Sequence, residues 1–377
     1  LAAGADPAWA AEAAIHLRVS GLLWKVLGLD TSGGSSAQLD DLRDDASRCR
    51  AQALLVFPRL GDHLLGPLAE AGLPALVFKG AALAGRYPAP GLRPMDDVDL
   101  MLPPEQHREA MRLLTERGWH VLVQQGEHTE VQLVHPQLPG LPVELHEQLA
   151  AKAERSSRMT ASDIWAARRP IQVAGADAFG LAPEVEILAL AAHAGKPFHT
   201  FDRLIWSVDI AVVIETAAAT GRPLDWGAVE ATADRVAARS VLAVALTHAS
   251  HLGVDSPPRL REVPARGTRR AALEPLLDPE WPLLPRDLGT RNRLSFALID
   301  DRRLRLGRAI ADVRSEGLAR LPRRVYNLSW RFGRRWWTLR RAAAPEIPPG
   351  QPPDWVSSRR RPPSGDPSAS GSSKAVS

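Results

Sequence analysis

The sequence predicts an α+β chain in which a small mixed sheet with helices is flanked on both sides by helical regions. Three observations predict it. Apolar residues recur at helical spacing from Pro7 to about Leu73. Short β-rich runs then replace that pattern up to about residue 150, and helical periodicity returns beyond Ala151. The 377 residues, 45% apolar and 24% charged, suffice for two domains or one elaborated domain and exclude a disordered chain.

In chain order, Ile15, Val19, Leu22, Leu23 and Val26 fall at helix spacing, TSGGSS interrupts, and a second helix follows from Asp40; residues 1–73 form an N-terminal helical region. Pro74 opens the sheet unit, residues 74–150, whose strands are ALVF, DVDLML and VELH. A helix between them begins at Pro104-Glu105, with proline and an acid in its first turn, and ends at Gly118 after Arg117. Residues 151–255 are expected to be all helical: Val185, Leu188, Ala189 and Ala192 share a face, and FDRLIWSVDIAVVI and DWGAVEATADRVAARSVLAVALTHASHLG follow. The linker SPPRLREVPARG opens an Arg-rich helical region, residues 256–345, and the Pro-, Ser- and Gly-rich residues 346–377 are expected to be disordered.

One cysteine, Cys49, excludes an intramolecular disulfide and any multi-thiolate metal site, which fits a reducing compartment. No apolar run reaches the roughly 18–20 residues that span a bilayer, and the N-terminal stretch lacks a basic start and apolar core, so a cytoplasmic location is expected. The net charge of +4 conceals an asymmetry, because Asp301–Arg341 carries 13 arginines against 3 acids. Arginines mixed with Trp330, Trp336 and Trp337 suit phosphate backbones, anionic lipid headgroups or a partner surface. The alternative is an amphipathic helix with its Leu and Trp residues packed on the body; even then residues 301–341 should attract polyanions weakly.

The chemistry concentrates in FKGAALAGRYPAPGLRPMDDVDLML, residues 78–102. In its last strand side chains alternate, so Asp97 and Asp99 share one face while Val98 and Leu100 share the other. In LPVELH, Glu144 and His146 likewise oppose Val143 and Leu145. Paired carboxylates repel unless a cation lies between them, and hard divalent ions prefer oxygen ligands, with magnesium first. Three carboxylates on neighbouring strands can hold two such ions about 4 Å apart, the arrangement that activates an attacking hydroxyl and steadies a leaving pyrophosphate. Asp97 and Asp99 would bridge both ions, and Glu144 would complete one and help draw the hydroxyl proton. At the Gly80-Ala81 turn, backbone N–H groups can approach phosphate oxygens, with Lys79 as a point charge and Arg93 as a fork. Only five of 47 basic residues are lysines, so Lys79 stands out.

Residues 76–146 resemble the nucleotidyltransferase superfamily typified by polymerase beta, whose hallmarks are the glycine turn and the D-x-D strand. More narrowly, KGAAL, YPAPGLRPMDDVDLML, VELH and HAGKPFHTFDRLIWSVDI are similar to the bacterial "uncharacterised nucleotidyltransferase" family, over roughly residues 50–255. The resemblance implies a polymerase-beta-like core, with Gly80 as the signature-turn glycine, Asp97 and Asp99 as the metal pair and Glu144 as the third acid. It implies transfer of a nucleoside monophosphate from an NTP to an acceptor, a small molecule, a protein or an RNA, with Mg2+ or, in its place, Mn2+. Two departures stand out: Ala81 sits where serine or glycine is usual, so a turn hydroxyl is missing, and Asp96 adds an acid beside the pair.

Blander roles stand beside these. Lys79 could be an ordinary surface lysine, and Arg93 could pair with Asp96 instead of phosphate. His146 could orient a phosphate or hydrogen-bond a backbone carbonyl. His193 fits a hydrogen-bonded core histidine best. Lys196, His199, Asp202 and Arg203 cluster where they could reach a nucleotide. Asp209, amid apolar residues, needs a partner: Arg203, a histidine or a ligand. The rival function is a non-catalytic scaffold that binds nucleic acid, membrane or a protein through its Arg-rich arm.

Overall fold

Seven strands build one mixed sheet in the order β3-β4-β5-β2-β1-β7-β6. They are β1 (Leu76–Phe78), β2 (Val98–Met101), β3 (His120–Gln124), β4 (Glu130–Val134), β5 (Val143–His146), β6 (Arg168–Val173) and β7 (Ala176–Leu181). The structure, a computed structural model, describes residues 7–28, 39–124, 130–150, 155–197, 199–283 and 288–315. The sheet belongs to one compact unit that extends to Val313.

The three expected strands are the central ones. β2 runs antiparallel to β1 and parallel to β5, pairing Asp99 with Phe78 on one side and with Glu144 on the other. The expectation of helices alone beyond Ala151 needs correction, because β6 and β7 form a hairpin and β7 pairs parallel with β1. Its turn is Ala174-Gly175, both at positive φ, without the Asn-Gly signature. Pro170 inside β6 hides the strand from sequence reading, and the position is tolerated because β6 is an edge.

The helices fall where periodicity places them. α1 (Pro7–His16), α2 (Ser20–Val26), α3 (Asp40–Ala51) and α4 (Gly66–Glu70) precede the sheet, and α5 (Gly80–Leu83) and α6 (His107–Glu116) connect its strands. α6 ends as predicted: Gly118 at φ 89° lets Trp119 N–H reach back to the Leu114 carbonyl, 3.0 Å away. After β5 come α7 (Ala161–Ala166), α8 (Pro183–Ala194), α9 (Leu204–Ala219), α10 (Trp226–Arg235), α11 (Arg239–His251), α12 (Pro258–Arg261), α13 (Gly267–Leu273), α14 (Leu288–Leu298) and α15 (Arg302–Ser315). The Arg-rich stretch beyond Ser315, including Trp330, Trp336 and Trp337, and the tail 346–377 lie outside the described residues.

The sheet separates two cores. Val77, Val98, Leu100, Val143 and Leu145 point to one, shared with Leu60, Leu64, Ala110 and Leu114. Leu76, Phe78 and Met101 point to the other, which α1, α8, α9 and α11 fill. Because residues alternate along a strand, Asp99, Glu144 and His146 lie on the side of the helical core. The sequence therefore sets the carboxylates at the seam between sheet and helices.

Candidate active site

The parallel register of β2 and β5 puts Asp99 directly beside Glu144, and the antiparallel register of β4 and β5 puts Gln132 beside Glu144 and Glu130 beside His146. Period two then turns all five toward the same side. Asp99 is 3% exposed, Glu144 8% and His146 1%, so these are buried charges that need partners. His146 supplies one: its Nε2 donates to Asp99 Oδ1 at 2.8 Å and lies 3.5 Å from Glu144 Oε2, while Nδ1 is 3.4 Å from Glu130 Oε2. Gln132 Nε2 donates to Glu144 Oε1 at 3.3 Å. The Phe78 ring meets His146 edge-on at 5.3 Å and fixes its plane.

Lys79 supplies the second cation, paired with Asp99 Oδ1. The lysine reaches it because the chain leaves β1 with Lys79 at φ 58° and ψ −137°, a conformation that L residues avoid at a cost of about 1–3 kcal/mol. The turn's unusual backbone is therefore at the lysine. Gly80 has a different role: a Cβ there would meet the Arg93 guanidinium at 3.1 Å, so the absent side chain makes room for that group.

Arg93 is not paired with Asp96. Its Nε and Nη2 donate to the two oxygens of Asp209 on α9, at 2.7 and 2.8 Å, and Tyr87 Oη donates to the same carboxylate at 2.7 Å. The fork expected for phosphate is thus used inside the protein, and it is the partner that Asp209 needs. Asp96 is met instead by Arg18 and, at 3.6 Å, by Arg203. Asp202 pairs with Arg291.

The electrostatics follow from this packing. Burial opposes ionisation of Asp99, yet Lys79 and His146 hold its carboxyl well below the ordinary range. Glu144 is also lowered, burial being outweighed by the His146 hydrogen bond. His146 is raised to about 8, because Asp99 and Glu144 overcome its burial. Lys79 is raised as well, the three carboxylates outweighing its burial. Asp97, just before β2, is pushed up to about 8 by burial and by the charges of Asp99 and Glu144. The three predicted acids therefore act on one another: Lys79 and His146 balance Asp99 and Glu144, and Asp97 keeps its proton below about pH 8.

A divalent cation fits this donor set. Single ligand atoms of Asp99, Glu144 and His146 lie within 4.8 Å of one another, and a cation there would favour ionisation of Asp97 beside them. Beside it opens a pocket whose wall includes Lys79, Arg155, Ser156, Ser157, His193 and Lys196. Lys196 is thus brought to the same pocket as Lys79. His193 is a pocket wall rather than a hydrogen-bonded core residue: its ring packs on His199 at 4.6 Å and edge-on to Trp206, and its Nδ1 has no hydrogen-bond partner among the described residues. Burial and the nearby cations keep it neutral at pH 7. Ala81 is buried in α5, and the one-turn length of that helix leaves the pocket's cations as the stronger anion attractors.

Sequence reading missed Glu130 and Arg155. Glu130 opens EVQLV, whose Val131 and Leu133 alternate with polar residues and carry a strand signal. Arg155 has no local pattern to mark it.

Among curated proteins, none matches the chain in sequence. Among solved structures, it is similar to the antibiotic-resistance factor ANT(2'')-Ia in solution, with 16% identity over 52% of this chain and 97% of that one and a TM-score of 0.35. A crystal structure of ANT(2'')-Ia with adenylyl-2''-tobramycin gives 16% identity over 47% and 97% of the two chains, with a TM-score of 0.31. An antigenic nucleotidyltransferase-like protein from Paracoccidioides brasiliensis gives 18% identity over 42% and 75%, with a TM-score of 0.29. The family described as uncharacterised nucleotidyltransferase matches residues 3–253, which joins the acidic strands, the lysine turn and the helical core in one unit, and the chain belongs to that family.

Proposed function

We propose that the chain transfers a nucleoside monophosphate from an NTP to an acceptor hydroxyl and releases pyrophosphate. The observation that carries this reading is the in-register pair Asp99 and Glu144, with Asp97 beside it and a cationic pocket adjoining through Lys79. Asp97, Asp99 and Glu144 would hold divalent ions, Mg2+ or Mn2+. When bound, such ions polarise the phosphoryl group and favour the acceptor's alkoxide.

The chain's own residues do the rest. Lys79 exchanges its carboxylate partner for a phosphate oxygen, and Arg155 and Lys196, which line the same pocket, would pair with phosphate oxygens at its mouth. Glu144, whose carboxyl is held below the ordinary range, takes the hydroxyl proton. The helical core shields the reacting atoms from water, and its surface chooses the acceptor, whether small molecule, protein or RNA.

The test is incubation of the purified chain with labelled NTPs, Mg2+ or Mn2+ and a lysate, with the label followed into small molecules, protein and RNA. Label transfer is expected from the parent, with a loss of more than about 100-fold in Asp99→Asn, since removing even an outer support of a metal site costs 10–100-fold. Equal labelling by parent and variant would falsify the assignment.

A further inference from the structure

His146 has more structure around it than a residue that merely neutralises two acids needs. Carboxylates lie near both ring nitrogens: Glu130 Oε2 is 3.4 Å from Nδ1, which makes no hydrogen bond among the described residues, and Asp99 and Glu144 lie 2.8 and 3.5 Å from Nε2. A ring nitrogen facing two acid oxygens, with the other nitrogen buried, unpartnered and within 3.4 Å of a carboxylate that a small ring rotation would bond, suits a metal-bound histidine with an outer partner.

The spacing agrees. Ligand atoms about 2.1–2.2 Å from an ion and at right angles to one another are about 3 Å apart. The Nε2 separations from Asp99 and Glu144 are close to that edge before any ion is considered. Two backbone registers fix the set, Asp99 beside Glu144 and Glu130 beside His146, so it does not depend on loop placement.

We infer that His146 Nε2 is a direct ligand of one divalent ion, with Asp99 and Glu144 on the same ion and Glu130 orienting the ring, and that this position selects Mn2+ over Mg2+. The inference rests on the transferase reading for the ion's presence and deepens it by naming a nitrogen ligand. Imidazole suits manganese and the later divalent metals, whereas Mg2+ prefers oxygen donors and retained water. Neutral imidazole binds as the free base, so the proton now shared with Asp99 leaves when the ion enters.

The experiment uses the full chain and Mn2+ alone. Pulsed electron paramagnetic resonance of the Mn2+-loaded protein should show coupling to a 14N nucleus of imidazole, and this coupling should vanish in His146→Gln. Calorimetric titration should give an affinity for Mn2+ about 10-fold or more above that for Mg2+, with the Mn2+ value dropping about 10–100-fold in His146→Gln. Glu130→Gln, which leaves every proposed ligand in place, should keep the nitrogen coupling and weaken Mn2+ by a smaller factor. Thermal melts of both variants verify folding.

Bound Mn2+ without nitrogen coupling, or an unchanged affinity in folded His146→Gln, overturns the assignment of His146. Either result leaves the transferase reading standing if the parent still transfers label. Conversely, nitrogen coupling in a chain that transfers no label upholds the ligand and sinks the transferase reading.

Discussion

Lys79 carries two burdens at one position: an L residue at φ 58° and a buried cation on Asp99. Glycine would relieve the backbone and remove the charge, so the two effects can be separated. Lys79→Met keeps the strain, leaves Asp99, Asp97 and Glu144 short of positive charge, and should destabilise by about 3–5 kcal/mol, the range for breaking a buried ion pair from one side. Lys79→Gly should lose less, by about 1 kcal/mol or more, because the backbone strain disappears. Urea unfolding midpoints of the two variants check the order; Lys79→Gly as damaging as Lys79→Met would show that the turn is not strained. Gly80 follows a different logic, since its added methyl meets a guanidinium rather than a forbidden φ.

At the scale of elements, one bond between the segment that leads into β2 and the helical core is the Arg93 fork on Asp209 of α9, joined by Tyr87. Asp209→Leu strands a buried guanidinium and is expected to cost about 3–5 kcal/mol, whereas the double variant Arg93→Met with Asp209→Leu removes both charges and should cost clearly less. Denaturation curves of the two single variants and the double variant measure this; additive losses would mean that the pair does not act as a unit. The sequence announces Asp209 as a charge in need of a partner but cannot name one 116 residues away. The central strands are legible because acid and apolar residues alternate in DVDLML and VELH, and because apolar burial leaves only one face for the acids. The hairpin β6–β7 is hidden by Pro170 and a turn without Asn-Gly, and β4 was passed over despite its alternation. Glu130 went unseen with it, and so did the carboxylate behind His146. The partner of Arg93 is hidden for a related reason: a fork fits a carboxylate and a phosphate equally well, and here the fold brings it Asp209.

Over the whole molecule, the acidic centre links stability to pH in a direction opposite to common acid denaturation. Asp97 and His146 both have folded pKa values raised to about 8. A group raised on folding stabilises fully below its unfolded value, and that contribution is lost as pH rises through the folded value. Asp97 thus gives up its share between its ordinary carboxylate range and about pH 8, and His146 between about 6.5 and 8. Asp99 and Glu144 are lowered, so their contribution is complete above the carboxylate range and constant near neutrality. His248, lowered to about 4 by burial, changes only on the acid side of 6.5. Between pH 6.5 and 8 the acidic centre therefore holds up to two protons, on Asp97 and His146, that the unfolded chain releases, each worth about 1.4 kcal/mol per pH unit. The melting temperature in EDTA should fall as pH rises from 6.5 to 8.5. Mn2+ should offset that fall, since a bound divalent ion provides at high pH the positive charge that protons provide at low pH. Asp97→Asn should flatten the EDTA profile while leaving the His146 share. A parent chain whose melting temperature in EDTA is level or rises across this window would mean that its carboxylates are not gathered at one centre.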